Sequence, residues 1–272
     1  MRAQSQSKMA VPMITRRLRT IKLSVHTLQI SYSAATSAPM ARTRTRLEVS
    51  KARKGTLALI GCGKMGFAMG INFLKAGYPL MVYDKYNNEN TRRLEAEGAS
   101  IVKDIRILGS QAQIIVTMLP NDEVLEIVSQ DIVPTLSPGA LHISCSTVAP
   151  STSRALASVH AAKAVGYVGA PVFARPEGVE EKQAFFVMGG TDVRAMKAAK
   201  PVLLATGSDV FEFSRRDAGA GNVVKLCGNF LIASAIESIG EALALAENQG
   251  LNRVKVMSML SDTIFDCLIY KG

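Results

Sequence analysis

Gly61-Cys-Gly63-Lys-Met-Gly66 stands between an apolar run, Thr56-Leu-Ala-Leu-Ile60, and a helical pattern over residues 65–76. In such a spacing the first glycine permits a tight turn and the second lets the backbone approach a ligand. The third lets the helix pack closely on the strand. A pyrophosphate suits the loop because helix N-terminal N–H groups and the positive end of the helix dipole point at it. Asp84 closes the next apolar run, Leu80-Met-Val-Tyr83, where an acid would take the adenosine ribose. A structural Gly-rich turn is the bland alternative; strand, helix and acid together favour a dinucleotide. Gly61, Gly63, Lys64, Met65, Gly66 and Asp84 are therefore candidate cofactor contacts. The Asp84 carboxylate favours NAD, since a 2′-phosphate beside it would meet a like charge costing about 4 kcal/mol at 4 Å and an effective dielectric near 20. Lys85 next door leaves NADP open.

After the loop the chain alternates. Residues 114–119 and 141–143 read as buried strands, and helical patterns fall near 87–97, 121–130 and 151–164. Strands alternating with helices imply βαβ units and a Rossmann-type, doubly wound parallel sheet covered on both faces. From Ala218 to about Gly250 a single long helix is expected. This places a nucleotide domain over 55–217 and the start of an all-helical domain over 218–272.

The net charge of +10 first suggests nucleic acid or an anionic membrane surface. Its placement argues against both. Residues 1–54 hold twelve basic side chains and one acid, Glu48, and so carry +11, leaving −1 for the rest. Within them Ile14, Leu18, Ile21, Val25 and Leu28 make one apolar helical stripe beside arginines. An Arg-rich, acid-poor amphipathic N-terminus reads as an organelle transit peptide, for the mitochondrial matrix or alternatively a plastid. A solvated tail or nucleic-acid arm is the other reading. The longest apolar stretch, 230–246, is broken by Glu237 and Glu241, so no membrane span is expected. Cys62, Cys145, Cys227 and Cys267 are scattered, which suits free thiols better than a disulfide frame or a zinc site.

Lys225 and Asn229, four apart, share a helix face that continues as Ile232, Ile236 and Ile239. They are satisfied core residues, a Lys snorkelling from a helix end, or the wall of a polar pocket; burying a charged Lys is costly without a partner.

With these residues in hand the chain resembles the β-hydroxyacid dehydrogenase family, which includes 3-hydroxyisobutyrate dehydrogenase and, more distantly, 6-phosphogluconate dehydrogenase. The resemblance runs from about Gly55 onward. It rests on the glycine loop and its continuation to Gly77, Thr117-Met-Leu-Pro120, Ser146-Thr147 with Pro150, Ala170-Pro-Val172, and Gly219–Asn229. It implies a metal-free hydride transfer between NAD(P) and a small hydroxy acid or its semialdehyde. Lys225 would be the general acid/base and Asn229 would orient the reacting oxygen or the Lys. Ser146 would bind substrate, and Leu119, Pro120 and Thr147 would line the cofactor site. The chain departs from the family pattern in three places. Ser144 stands where many members have an acid. Phe173-Ala-Arg175 replaces Ser-Gly-Gly, so Arg175 either grips an anionic group bidentately or is a solvated loop residue. Relatives also continue through more helices; an incomplete helical domain is therefore expected, with Phe230, Leu231, Ile232 and Ile236 exposed. A homo-oligomer is expected of the complete helical domain. Competing readings are a methyltransferase-like user of the glycine loop, or a catalytically impaired NAD(P)-binding relative with a nucleic-acid arm.

Overall fold

The structure, a computed structural model, describes residues 55–86 and 88–271. The N-terminal stripe and its targeting reading lie outside the described residues. The chain runs β1 (Leu57–Ile60), α1 (Lys64–Lys75), β2 (Leu80–Tyr83), α2 (Glu89–Ala96), β3 (Ser100–Ile101), α3 (Ile105–Gln111), β4 (Ile114–Thr117), α4 (Asp122–Ile132), β5 (Leu141–Ser144) and α5 (Pro150–Ala161). It continues through β6 (Gly166–Gly169), β7 (Val172–Phe173), α6 (Pro176–Glu180), β8 (Phe185–Gly190), α7 (Val193–Leu204) and β9 (Asp209–Ser214). Three helices end it: α8 (Ala220–Asn248), α9 (Arg253–Ser261) and α10 (Leu268–Lys271).

All four residues of β1 are buried, as a strand covered on both faces requires. Alternate side chains serve opposite sides. Leu57 and Leu59 pack with Phe67, Met69 and Phe73 of α1 and Leu94 of α2. Ala58 and Ile60 pack with Leu108 of α3 and Val128 and Ile132 of α4. The order β3-β2-β1-β4-β5-β6 is parallel throughout and reverses direction of growth between β1 and β4.

The Rossmann-type, doubly wound parallel sheet is present as expected, and one edge adds antiparallel pairing to it. β8 joins β6 antiparallel, β7 pairs antiparallel with β8, and β9 returns parallel to β8. Between β6 and β8 the chain carries β7 and the five-residue α6, and β7 itself pairs back on β8. The strands of this edge are short or end in glycines, which weakens their signature in the sequence.

The first turn of α8 lies directly on the sheet. A Cβ at Gly169 would run into the carbonyl of Ala218, and one at Gly221 into that of Val187. Beyond Asn222 only Ala246 of this helix is buried. Phe230, Leu231 and Ile236 are 62–70% exposed, as expected, and Ile232 is 38% exposed. By length and composition α8 is apolar enough to cross a membrane, but its start is anchored on β6 and β8 and its middle carries Glu237 and Glu241.

Two histidines, His142 and His160, form a buried pair. His160 Nδ1 lies 2.7 Å from the Leu156 carbonyl, which can only accept, so Nδ1 carries the proton. His160 Nε2 then accepts from His142 Nδ1 at 2.8 Å, and His142 Nε2 accepts from the Thr117 hydroxyl at 3.0 Å. One direction of donation satisfies every group with both rings neutral. Tyr167 closes the cluster, its ring centroid 5.3 and 5.0 Å from the two imidazoles. Burial holds His142 well below its ordinary pKa, and burial pushes His160 down to about 4. In the unfolded chain both would titrate near 6.5. Below that pH the unfolded state binds protons that the folded state refuses, so stability falls with pH by up to about 1.4 kcal/mol per unit for each ring. Urea midpoints should therefore be flat from pH 7 to about 8 and drop from pH 6.5 to 5, a window above most carboxylate titrations. His160→Gln should roughly halve that slope.

Candidate active site

The nucleotide loop is shaped by what its glycines touch. Gly61 has φ +94°, and a side chain there would strike the Met118 carbonyl. A Cβ on Gly66 would strike the carbonyl of Gly61, so helix and turn are in backbone contact. Gly63 differs: open space surrounds the position of its missing Cβ. It is also the N-cap of α1, with no side-chain cap and no acid in the first turn. By contrast α2, α3, α4, α7 and α9 are capped by Asn88, Asp104, Asn121, Asp192 and Asn252. The open start of α1, with exposed Lys64 and half-buried Met65, leaves first-turn N–H groups for an anion.

Asp84 braces this loop from the end of β2. Its Oδ2 accepts the Cys62 N–H at 2.8 Å and its Oδ1 the Tyr86 N–H at 3.0 Å. Asn90 donates to the Cys62 carbonyl at 3.0 Å. Burial, with the Asp84 charge adding to it, pushes the Cys62 thiol up to about 12, which makes it a packing group and not a nucleophile. An open glycine, an uncapped helix start and an acid beside them fit a dinucleotide.

The other expected contacts follow β4 and β5, at the same carboxyl edge of the sheet. Ligands of such sheets bind in the crevice where strand order reverses, here between β1 and β4. The Leu119 side chain lies against Gly61, Pro120 is exposed and Thr147 half-buried. Ser146, expected to bind substrate, is fully buried and accepts the Leu119 N–H at 2.9 Å. Asp122 fixes the turn after Thr147 by accepting the Ala149 N–H at 2.8 Å and the Thr152 hydroxyl at 2.6 Å.

Asn222 ties this region to α8. Its amide donates to the Ser146 carbonyl at 3.4 Å and accepts from the Ser153 hydroxyl at 2.9 Å. A bidentate Arg154–Asp217 pair, both contacts 2.9 Å, steadies the same helix start, and Asp217 also accepts the Gly219 N–H. Arg154 holds the Asp217 carboxyl below its usual range. Asn222, Ser153 and Asp122 were not singled out from sequence. The available signal for Asn222 was its place three residues before Lys225, on the same face.

Lys225 is half-buried one turn further on, its Nζ 4.2 Å from the centroid of the Phe173 ring. Burial pulls its pKa below that of an ordinary lysine. Asn229, the next turn, is exposed. Arg175 is exposed at the N-cap of α6; of the Phe173-Ala-Arg175 departure, it is Phe173 that reaches Lys225.

Comparison with known proteins gives this edge a context. Residues 56–214 match the family model for the NAD binding domain of 6-phosphogluconate dehydrogenase. An NAD-dependent L-serine dehydrogenase of Pseudomonas aeruginosa is 33% identical over 198 residues, 72% of this chain and 65% of that protein. A probable mitochondrial 3-hydroxyisobutyrate dehydrogenase of Dictyostelium discoideum is 29% identical over 222 residues, 80% of this chain and 68% of that one. The solved Mycobacterium tuberculosis 3-hydroxyisobutyrate dehydrogenase with L-serine superposes with a TM-score of 0.71 at 26% identity, over 79% of this chain and 72% of that chain. The chain spans about two thirds of the length of these curated relatives.

The glycine geometry separates binding from folding. Gly63→Ala should keep the wild-type Tm and weaken NADH binding at least tenfold by fluorescence titration, since its Cβ enters only the ligand's space. Gly66→Ala should lower Tm by several degrees, because the helix must move off the turn.

Proposed function

Because the chain belongs to the β-hydroxyacid dehydrogenase family of NAD(P)-dependent oxidoreductases, we propose that it interconverts a small 3-hydroxy acid and its semialdehyde, with Lys225 as the proton-transferring residue. The observation carrying this is a half-buried lysine, held through its own helix by Asn222 against the Ser146 loop, which in turn holds Leu119, whose side chain lies against Gly61.

Bound NAD(P) supplies the hydride acceptor or donor. Gly61, Gly63, Lys64, Met65 and Gly66 would hold its phosphates, Asp84 its ribose, and Leu119, Pro120 and Thr147 would line its path. In oxidation the neutral Lys225 amine takes the hydroxyl proton as the carbinol hydride leaves; in reduction the ammonium returns that proton to the carbonyl oxygen. A pKa below the ordinary lysine value brings the amine form closer to neutral pH, as a base needs. Asn229 orients the reacting oxygen or the amine. Ser146, assigned to the substrate by the family resemblance, is fully buried here; it accepts the Leu119 N–H and so holds the loop that carries Thr147. Asp84 favours NAD over NADP. Residues 1–54 direct the chain to the mitochondrial matrix, with a plastid as the alternative, and the exposed apolar face of α8 supports a homo-oligomer.

Turnover with 3-hydroxyisobutyrate, glycerate, 4-hydroxybutyrate and glycolate, each with NAD and NADP, tests the reading; no reduction of either cofactor by any of them overturns it. Lys225→Met should cut kcat by about 10²–10⁴ while NADH still binds. Oxidation by the wild type should rise with pH through a single group titrating below an ordinary lysine, and reduction should fall over the same range.

A further inference from the structure

Phe173 belongs to the two-residue β7 and is held in register opposite Phe185 of β8, so its ring is delivered by the sheet and not by a loose loop. It lies across two positions of α8 that are three apart and share a face. At one, Lys225 sets its Nζ 4.2 Å from the ring centroid. At the other, Gly228, any Cβ would enter the ring itself. Ring and helix are thus fitted to each other, and the glycine is what admits the aromatic so close to the lysine. The face of a phenyl ring is electron-rich. It attracts an ammonium and repels a carboxylate laid over it.

We propose that Phe173 positions the Lys225 ammonium and forms an apolar pocket wall beside it, selecting substrates with an uncharged alkyl branch next to the reacting carbon and the anionic group turned away. This rests on the dehydrogenase reading above. Because the ring covers one side of Nζ, the reacting oxygen approaches from the other. A substrate branch resting on the wall replaces water against the ring edge, which favours methyl over hydroxyl there. Phe173 does not itself exchange protons; it acts through Lys225 and through the shape of the pocket.

The test uses the full chain and the variants Phe173→Tyr, Phe173→Leu and Phe173→Ser. Lysines are reductively methylated with ¹³C, and the Lys225 signal is identified by its loss in Lys225→Arg. A ring-current upfield shift is expected in the wild type and in Phe173→Tyr and is lost in Phe173→Leu, which keeps the bulk. In kinetics Phe173→Ser should lower kcat about tenfold and move the kcat/KM ratio of 3-hydroxyisobutyrate over glycerate about tenfold toward glycerate. Phe173→Tyr should restore both. An unshifted Lys225 signal in the wild type, or an unchanged selectivity ratio in Phe173→Ser, overturns the proposal. Failure of the dehydrogenase reading looks different: no turnover in the wild type with any substrate. The selective role then falls with it, while the ring-current shift still decides whether Phe173 holds the ammonium.

Discussion

The side-chain amide of Asn222 is the joint on which the site depends. It is 1% exposed, and both of its ends are engaged: the amide N–H with the Ser146 carbonyl and the oxygen with Ser153. An amide buried without partners would cost about 1–3 kcal/mol, so the helix start is held at the distance that satisfies it. Through Ser146 the same contact continues to Leu119, whose side chain rests on Gly61. A lysine on a helix and a phosphate-binding turn on a strand, 164 positions apart, are thereby fixed to one frame.

Close backbone contact makes that frame narrow. Gly169 and Gly221 bring α8 onto the sheet edge, and the Arg154–Asp217 pair steadies its entry. That ion pair is exposed and contributes little by itself. Direction comes from the glycines, which remove the side chains that would otherwise stand between helix and strands. The long helix then leaves the sheet, with Phe230, Leu231 and Ile236 facing outward.

The parts legible in the sequence were those written locally. The glycine loop, Asp84 and the alternating strands of the first half have short-range signatures in spacing and hydrophobic period; four-residue spacing puts Lys225 and Asn229 on one helix face, while their roles came only from the family resemblance. What escaped depends on contacts between distant positions. Phe173 meets Lys225 across 52 residues, and His142 meets His160 only because β5 and α5 pack together. The antiparallel edge escaped because β7 has two residues and β8 ends in glycines, so neither carries a strand period long enough to read. Arg175 drew attention for its charge, whereas its neutral neighbour two positions earlier is the one that reaches the lysine.

The bond from the Cys62 N–H to Asp84 has a kinetic consequence. One carboxylate oxygen of Asp84 accepts the Cys62 N–H inside the glycine turn and the other the Tyr86 N–H, so the turn is braced from β2 by the protein alone. A loop that is already ordered loses little conformational freedom on capture. Encounter then proceeds without a folding step, and differences in affinity between related dinucleotides are expressed in how long each stays rather than how fast each enters. Under the proposed role of Asp84 at the ribose, residence time is the quantity on which the second strand's terminal acid acts.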